Sequence, residues 1–143
     1  MRRAFIALHA ALLLLLAPLF AAAQAVSAAD ARAVREVIEA QLDAFRRDDA
    51  ARAFSYAAPA IRETFGSAEN FMAMVRAEYA VVYRPHSVSF DAPEMAGGEL
   101  VQPVRMVDAE GRAWIALYPM ERQSDGAWRI NGCQLARLPA RET

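Results

Sequence analysis

The sequence predicts an α+β fold, with helices first and an antiparallel sheet after them. Three observations carry this reading. Between Asp30 and Val82 the apolar residues recur at spacings of three and four, the period of a helix face. Beyond Pro85 they alternate, or run in short stretches closed by turn residues, which is the pattern of strands. The two patterns are segregated along the chain, which separates α+β from alternating α/β.

The first helical segment places Val34, Val37, Ile38, Leu42 and Phe45 on one face and Arg35, Glu36, Glu39, Asp43 and Arg46 mostly on the other. It predicts an amphipathic helix of about five turns, ending at Arg46-Arg47, cations suited to the negative end of the helix dipole. Asp48 or Asp49 then caps a short helix through Phe54 and Tyr56, since a carboxylate accepts the free amide protons of a first turn. Pro59 stops that helix and opens another piece to Phe65, closed by Gly66. Ser67 is the next N-cap, followed by Phe71, Met74, Val75, Tyr79 and Val82 at helical spacing. Proline disfavours helical geometry in the residue before it, so Arg84 is expected to be extended and this helix to finish near Val82.

In "HSVSF" the residues His86, Val88 and Phe90 fall on one face and Ser87 and Ser89 on the other. "ELVQPVRMVD" and "RAWIALYPMER" are two further strands joined by "DAEG", and "GAWRINGCQLARL" is a fourth after the turn signal "SDG". Pro103 and Pro119 cannot donate to a ladder, so each marks an edge or a bulge, and Gly132 marks a bend in the last strand. Trp114 and Trp128 are expected to pair across the hairpin as sheet packing. Trp114, Tyr118 and Met120 share one strand face, expected to be apolar and exposed in a monomer; it suggests a homodimer.

The chain opens with two arginines, an apolar run, Pro18 and then Ala23-Gln24-Ala25, the order of regions in a secretory signal peptide. Residues 1–25 are expected to be removed on export to the periplasm or medium, with the mature chain starting at Val26 and Ala29 as a second possible start. The competing reading is an uncleaved membrane anchor over Ala4 to Ala25. Residues 26–143 then form a single domain, too short for a second core. This part carries 14 arginines against 17 carboxylates, a formal charge of −3, without a basic patch, which argues against nucleic acid as a partner. No lysine is present, which removes Schiff-base chemistry. The single cysteine, Cys133, allows no internal disulfide and reads as a small buried hydrophobe in preference to a nucleophile or an intermolecular bridge.

"IEAQLDAFRRDDAARAFSYAAPAIRETFG", "FMAMVRAEYAVVYRP" and "GAWRINGC" together resemble an uncharacterised family of bacterial exported proteins, domain of unknown function 4864. More broadly, a long first helix followed by "DDAARAF" and a late "GAWRI" strand is similar to the nuclear transport factor 2-like superfamily. That second resemblance implies a cone-like form, N-terminal helices packed in a curved four-stranded antiparallel sheet, with a pocket inside. The segment "RETFGSAEN" departs from the superfamily pattern, being too short and polar for the strand that many members carry there. The superfamily includes isomerases, dehydratases, hydrolases and members that only bind, so the fold does not decide the function.

Such a pocket has as candidate lining Tyr56, Tyr79, Tyr83, His86, Asp91 and Tyr118. His86 or Asp91 could serve as a base, with Tyr79 or Tyr83 as the hydrogen-bond donor to developing charge. Against this stands a simpler reading of "YAVVYRPHSVSF" as the joint between helix and sheet and only then a pocket rim. No metal is expected, because His86 and Cys133 lack ligand spacing, although Asp48 and Asp49 could hold a cation weakly. No cofactor is expected, because phosphate-loop and nucleophile-elbow patterns are missing. The expectation is non-enzymatic binding of a small apolar ligand or a protein partner. The alternative is a cofactor-independent isomerase, dehydratase or hydrolase.

Overall fold

The computed structural model describes residues 25–140, so the predicted signal peptide lies almost wholly outside the described residues. The architecture is α+β: among the described residues five helices precede an antiparallel sheet that curls into a half-barrel around them, consistent with the expected cone-like form. Among the described residues no helix is long and apolar enough to cross a membrane.

Helix α1 (Ala28–Arg46) starts at Ser27, whose hydroxyl accepts from the Asp30 amide, so one free amide of the first turn is satisfied. Its inner face buries Val34, Ile38, Gln41, Leu42 and Phe45. Asp49 caps α2 (Ala50–Ser55) by accepting from the Arg52 amide at 3.1 Å. Pro59 opens α3 (Pro59–Phe65), and Gly66 closes it in the left-handed region at φ 71°, where a side chain would be strained. Ser67 caps α4 (Ala68–Glu78).

The helix predicted to run to Val82 is interrupted one turn early. Tyr79 leaves helical geometry at φ −127°, ψ 48°, and a separate turn, α5 (Ala80–Tyr83), follows. The break lets the Tyr79 hydroxyl donate to the Cys133 carbonyl at 3.0 Å. Arg84 leaves helical geometry ahead of Pro85, at φ −141°, ψ 71°, short of the fully extended form expected before a proline.

The strands are β1 (Ser87–Phe90), β2 (Glu94–Ala96), β3 (Glu99–Val107), β4 (Ala113–Arg122), β5 (Trp128–Ile130) and β6 (Gln134–Arg137). β3 and β4 form the long central hairpin; β1 and β2 pair successively along β3, and β5 and β6 along β4. The sheet therefore has four strand positions, as expected, with each outer strand broken once. The breaks have the same cause. Phe90 pairs with Val104 and Glu94 with Val101, so Asp91, Ala92 and Pro93 oppose only Gln102 and Pro103. Met120 pairs with Ile130 and Leu117 with Gln134, so Asn131, Gly132 and Cys133 oppose only Tyr118 and Pro119. A proline on the central strand supplies no ladder N–H, and in each case the outer strand gains one residue at that point.

In both bulges the first residue of the arch donates its backbone amide to the proline carbonyl, Asp91 to Pro103 at 3.2 Å and Asn131 to Pro119 at 2.8 Å, and each bulge adds a further device. At the first, the buried Gln102 amide donates to the Asp91 carbonyl at 2.7 Å and to the Pro103 carbonyl at 2.8 Å, standing in for the N–H that Pro103 lacks. At the second, Gly132 turns the chain at φ 124°, a conformation suited to glycine.

The core lies between the helices and the concave sheet face. It joins Val34, Ile38, Phe45, Phe71 and Val82 to Val104, Met106, Tyr118, Met120 and Ile130. Phe71 sits at its centre, with the rings of Phe45, Phe54 and Phe65 at 6.1, 5.4 and 5.7 Å between centroids, a packing that favours tilted and edge contacts. Two expectations about the tryptophan-bearing face are corrected. Tyr118 and Met120 are buried in this core and Trp114 is half-buried, because the curl turns their face towards the helices. The two tryptophans do not pair: Trp114 stands opposite Met106 and Arg137, and Trp128 opposite Arg122, at the far end of β4. Their indoles donate to separate carboxylates, Trp114 to Asp108 at 2.9 Å and Trp128 to Asp30 at 3.3 Å.

Candidate functional site

A cavity of about 460 Å³ opens between the helices and the concave face, at the bulge of the last outer strand. Phe45, Ile61, Phe65, Phe71, Val75 and Val82 line it from the helices; Tyr118, Ile130 and the arch Asn131–Cys133 line it from the sheet. The sequence builds it in two steps. Pro119 breaks the pairing of the outer strand, and Gly132 carries the arch away from β4. The Tyr79 hydroxyl then holds that arch through the Cys133 carbonyl.

No lining residue is an aspartate, glutamate, histidine, lysine or arginine. The titratable groups present are two phenols and a thiol, and the protein keeps all three protonated. Burial raises the pKa of Tyr79 and raises that of Tyr118 well above its usual value. Burial likewise pushes the Cys133 thiol up to about 12, against a smaller downward effect of the Tyr118 hydroxyl beside it. A thiol so shifted is a poor nucleophile near neutral pH, because the thiolate is the reactive form. Apolar walls with a few neutral polar groups, at this size, are typical of sites for small organic ligands.

Of the six residues proposed from the sequence, the structure brings Tyr79 and Tyr118 together in this cavity. The other four lie elsewhere. Tyr56 borders a shallow groove with Val37 and Trp128, and its hydroxyl accepts from Arg52 at 3.4 Å. Tyr83 donates its hydroxyl to Asp48 and borders a wider, partly charged groove of about 1000 Å³ with Arg84, Asp108 and Arg112, which Tyr79 and Cys133 also line. His86 is exposed on a groove with Arg35, Glu39 and Leu42. Asp91 is paired with Arg105 at 2.9 Å on the outer side of the sheet. The base candidates His86 and Asp91 are thus absent from the cavity that the tyrosines share.

Sequence reasoning missed Gln41, Phe71, Ile130 and Asn131 as lining residues. Phe71 was legible as core, but which core residues border empty space depends on how far the sheet curls. Cys133 was read as a small buried hydrophobe; the structure leaves it half-buried, bordering both this cavity and the wider groove beside Tyr83.

The "RRDDAAR" cluster is a cap and latch network. Asp48 adopts φ 54°, a left-handed geometry that aspartate tolerates better than most residues. Its carboxylate receives the Tyr83 hydroxyl, Arg76 at 3.0 Å and Arg84 at 3.1 Å. Arg84 also donates to the Phe45 carbonyl at 2.6 Å, so the end of α1 is tied to α4 and α5. These cationic partners occupy the carboxylate where a cation would otherwise bind, and among the described residues no acidic, histidine or cysteine cluster could hold a metal ion.

The family described as "Domain of unknown function (DUF4864)" matches residues 27–143. No curated protein and no solved structure matches the chain.

Proposed function

The chain belongs to the DUF4864 family, and within that family we propose that this protein is an exported, non-enzymatic domain that binds a small apolar ligand. One observation carries the reading: a cavity of about 460 Å³ inside the half-barrel, bounded by apolar and neutral polar residues alone. Acid–base catalysis needs a group that changes protonation near the working pH. The phenols and thiol of this cavity are held protonated by burial, and His86 and Asp91 stand outside it. Binding is therefore favoured over the isomerase, dehydratase or hydrolase alternative.

Native mass spectrometry of the protein purified from its own host tests the proposal, followed by organic extraction. A bound neutral molecule of low mass is expected. Repeated recovery of ligand-free protein would argue against it. Export, with removal of residues 1–25, is tested by fractionation and N-terminal sequencing. A mature form beginning at Val26 or within a few residues of it is expected; an intact Met1 form in the cytoplasm would overturn export.

We also propose a homodimer through the outer sheet face. Val101, Pro103 and Val107 on β3 and Ile115, Leu117 and Pro119 on β4 alternate with the core residues and are only half-buried, apolar ground for a contact crossed by the exposed Arg105–Asp91 ion pair. Sedimentation equilibrium is expected to give twice the chain mass for the native protein and the monomer mass for Leu117→Glu. A monomer in both would refute pairing.

A further inference from the structure

One polar group in the cavity wall lacks a conventional hydrogen-bond partner. Tyr118 is 1 % exposed, and its hydroxyl is the buried side-chain oxygen or nitrogen without such a partner among the described residues. Its neighbour is the Cys133 sulfur, at best a weak acceptor. Of the other lining donors, the Tyr79 hydroxyl is committed to the Cys133 carbonyl, the Gln41 amide to the Ala53 carbonyl at 3.1 Å and the Thr64 hydroxyl to the Ala60 carbonyl, while Asn131 bonds Glu99 and Gln134 is exposed at the rim. Leaving a buried hydroxyl unpaired is costly, and native proteins seldom do so without a reason. Pairing a donor with a bound acceptor removes that cost, and no cation lines the wall to compensate a buried anion.

We propose that the ligand of this cavity carries a neutral carbonyl oxygen, as in a ketone, ester or amide, that accepts from the Tyr118 hydroxyl while its hydrocarbon body lies along Phe45, Phe71, Val75 and Ile130. This rests on the ligand-binding reading above and narrows it to a chemical class. Carboxylates of the same length are disfavoured, since their charge would lose water and gain no counter-ion. The volume corresponds to roughly 15 water-sized groups at about 30 Å³ each, which suits a chain of medium length.

The experiment is displacement of the neutral fluorescent probe N-phenyl-1-naphthylamine by 2-undecanone, undecanoate and 1-chlorodecane. The ketone is expected to bind at least about tenfold more tightly than undecanoate. Tyr118→Phe is expected to weaken the ketone about tenfold, the scale of one hydrogen bond, and to leave 1-chlorodecane unchanged. The variant removes an unpaired hydroxyl and keeps the ring, so its thermal midpoint should hold or rise, which guards against misfolding as an explanation. Equal affinity for ketone and carboxylate, or an unchanged ketone affinity in Tyr118→Phe, would overturn the assignment while leaving ligand binding intact. Failure of the probe and of all three compounds to bind would instead overturn the binding reading itself.

Discussion

Tyr79, where the fourth helix breaks, donates its hydroxyl at 3.0 Å to the carbonyl of Cys133, where the last outer strand breaks. Two irregularities 54 positions apart are thereby joined by one bond at the mouth of the cavity. Tyr79→Phe removes the bond and keeps the ring. A loss of about 0.5–1.5 kcal/mol is expected in urea unfolding, the usual net value for one hydrogen bond. Amide exchange should quicken at Asn131–Cys133 and stay unchanged in the β3–β4 hairpin. Uniform acceleration would mean that the bond contributes to global stability without locally restraining the arch.

The first bulge offers a test by double substitution. Gln102→Leu removes the amide that bonds the Asp91 and Pro103 carbonyls and is expected to cost about 1–3 kcal/mol, the range for an acceptor left unsatisfied. Pro103→Ala returns a backbone N–H to the place where the Gln102 amide acts. The double variant should therefore be more stable than the sum of the two single changes, a coupling that a double-mutant cycle measures directly. Strict additivity would show that Gln102 does not substitute for the missing proline donor.

Acid stability follows from the carboxylates that the fold holds charged. Asp48 is lowered from its usual 3.8, first by the Tyr83 hydroxyl and then by the Arg76 hydrogen bond. At Asp108 burial acts upward, but the Trp114 indole and the Arg112 amide and guanidinium outweigh it and bring the carboxyl well below the usual range. A folded pKa below the unfolded one adds stability above the unfolded value, and that stability disappears as pH falls through the folded value. The melting temperature is thus expected to drop as pH falls below about 4, with a shallower slope in Asp48→Asn. An unchanged slope would remove Asp48 from the acid response.

Much of the fold was legible because local chemistry set it. Ser27, Asp49 and Ser67 cap helices, Gly66 ends one, and Pro103 and Pro119 mark breaks in pairing, each for reasons contained within a few residues. The cavity was less legible. Tyr79 and Tyr118 were candidates, but their hydroxyls converge only because the helix breaks at Tyr79 and the sheet curls Tyr118 inward, and both depend on distant contacts. The face of Trp114, Tyr118 and Met120 was misassigned for the same reason. Alternation along a strand separates its two faces, while the choice of which face meets the helices depends on the direction of curl. Tyr83 and His86 were close to the pocket in sequence, yet Tyr83, at the end of α5, reaches Asp48 instead, and the turn at Arg84-Pro85 carries His86 to another surface.

The alkaline response tests the enclosed thiol. Cys133 is raised from its usual 9.0 to about 12 by burial, so the folded chain keeps a proton that the unfolded chain releases. The associated stability is fully present below about pH 9 and is lost as pH rises towards 12. Tyr79 and Tyr118, also raised by burial, act in the same direction from about pH 10. Urea midpoints should therefore fall with rising pH across this window, and Cys133→Ala should flatten the first part of the fall. In the native protein at about pH 8, alkylation by iodoacetamide should be markedly slower than in the unfolded chain, because burial raises the thiol pKa and so lowers the thiolate fraction. Native and unfolded rates within a factor of a few of one another would mean that the arch opens readily and protects the Cys133 thiol no better than the unfolded chain does.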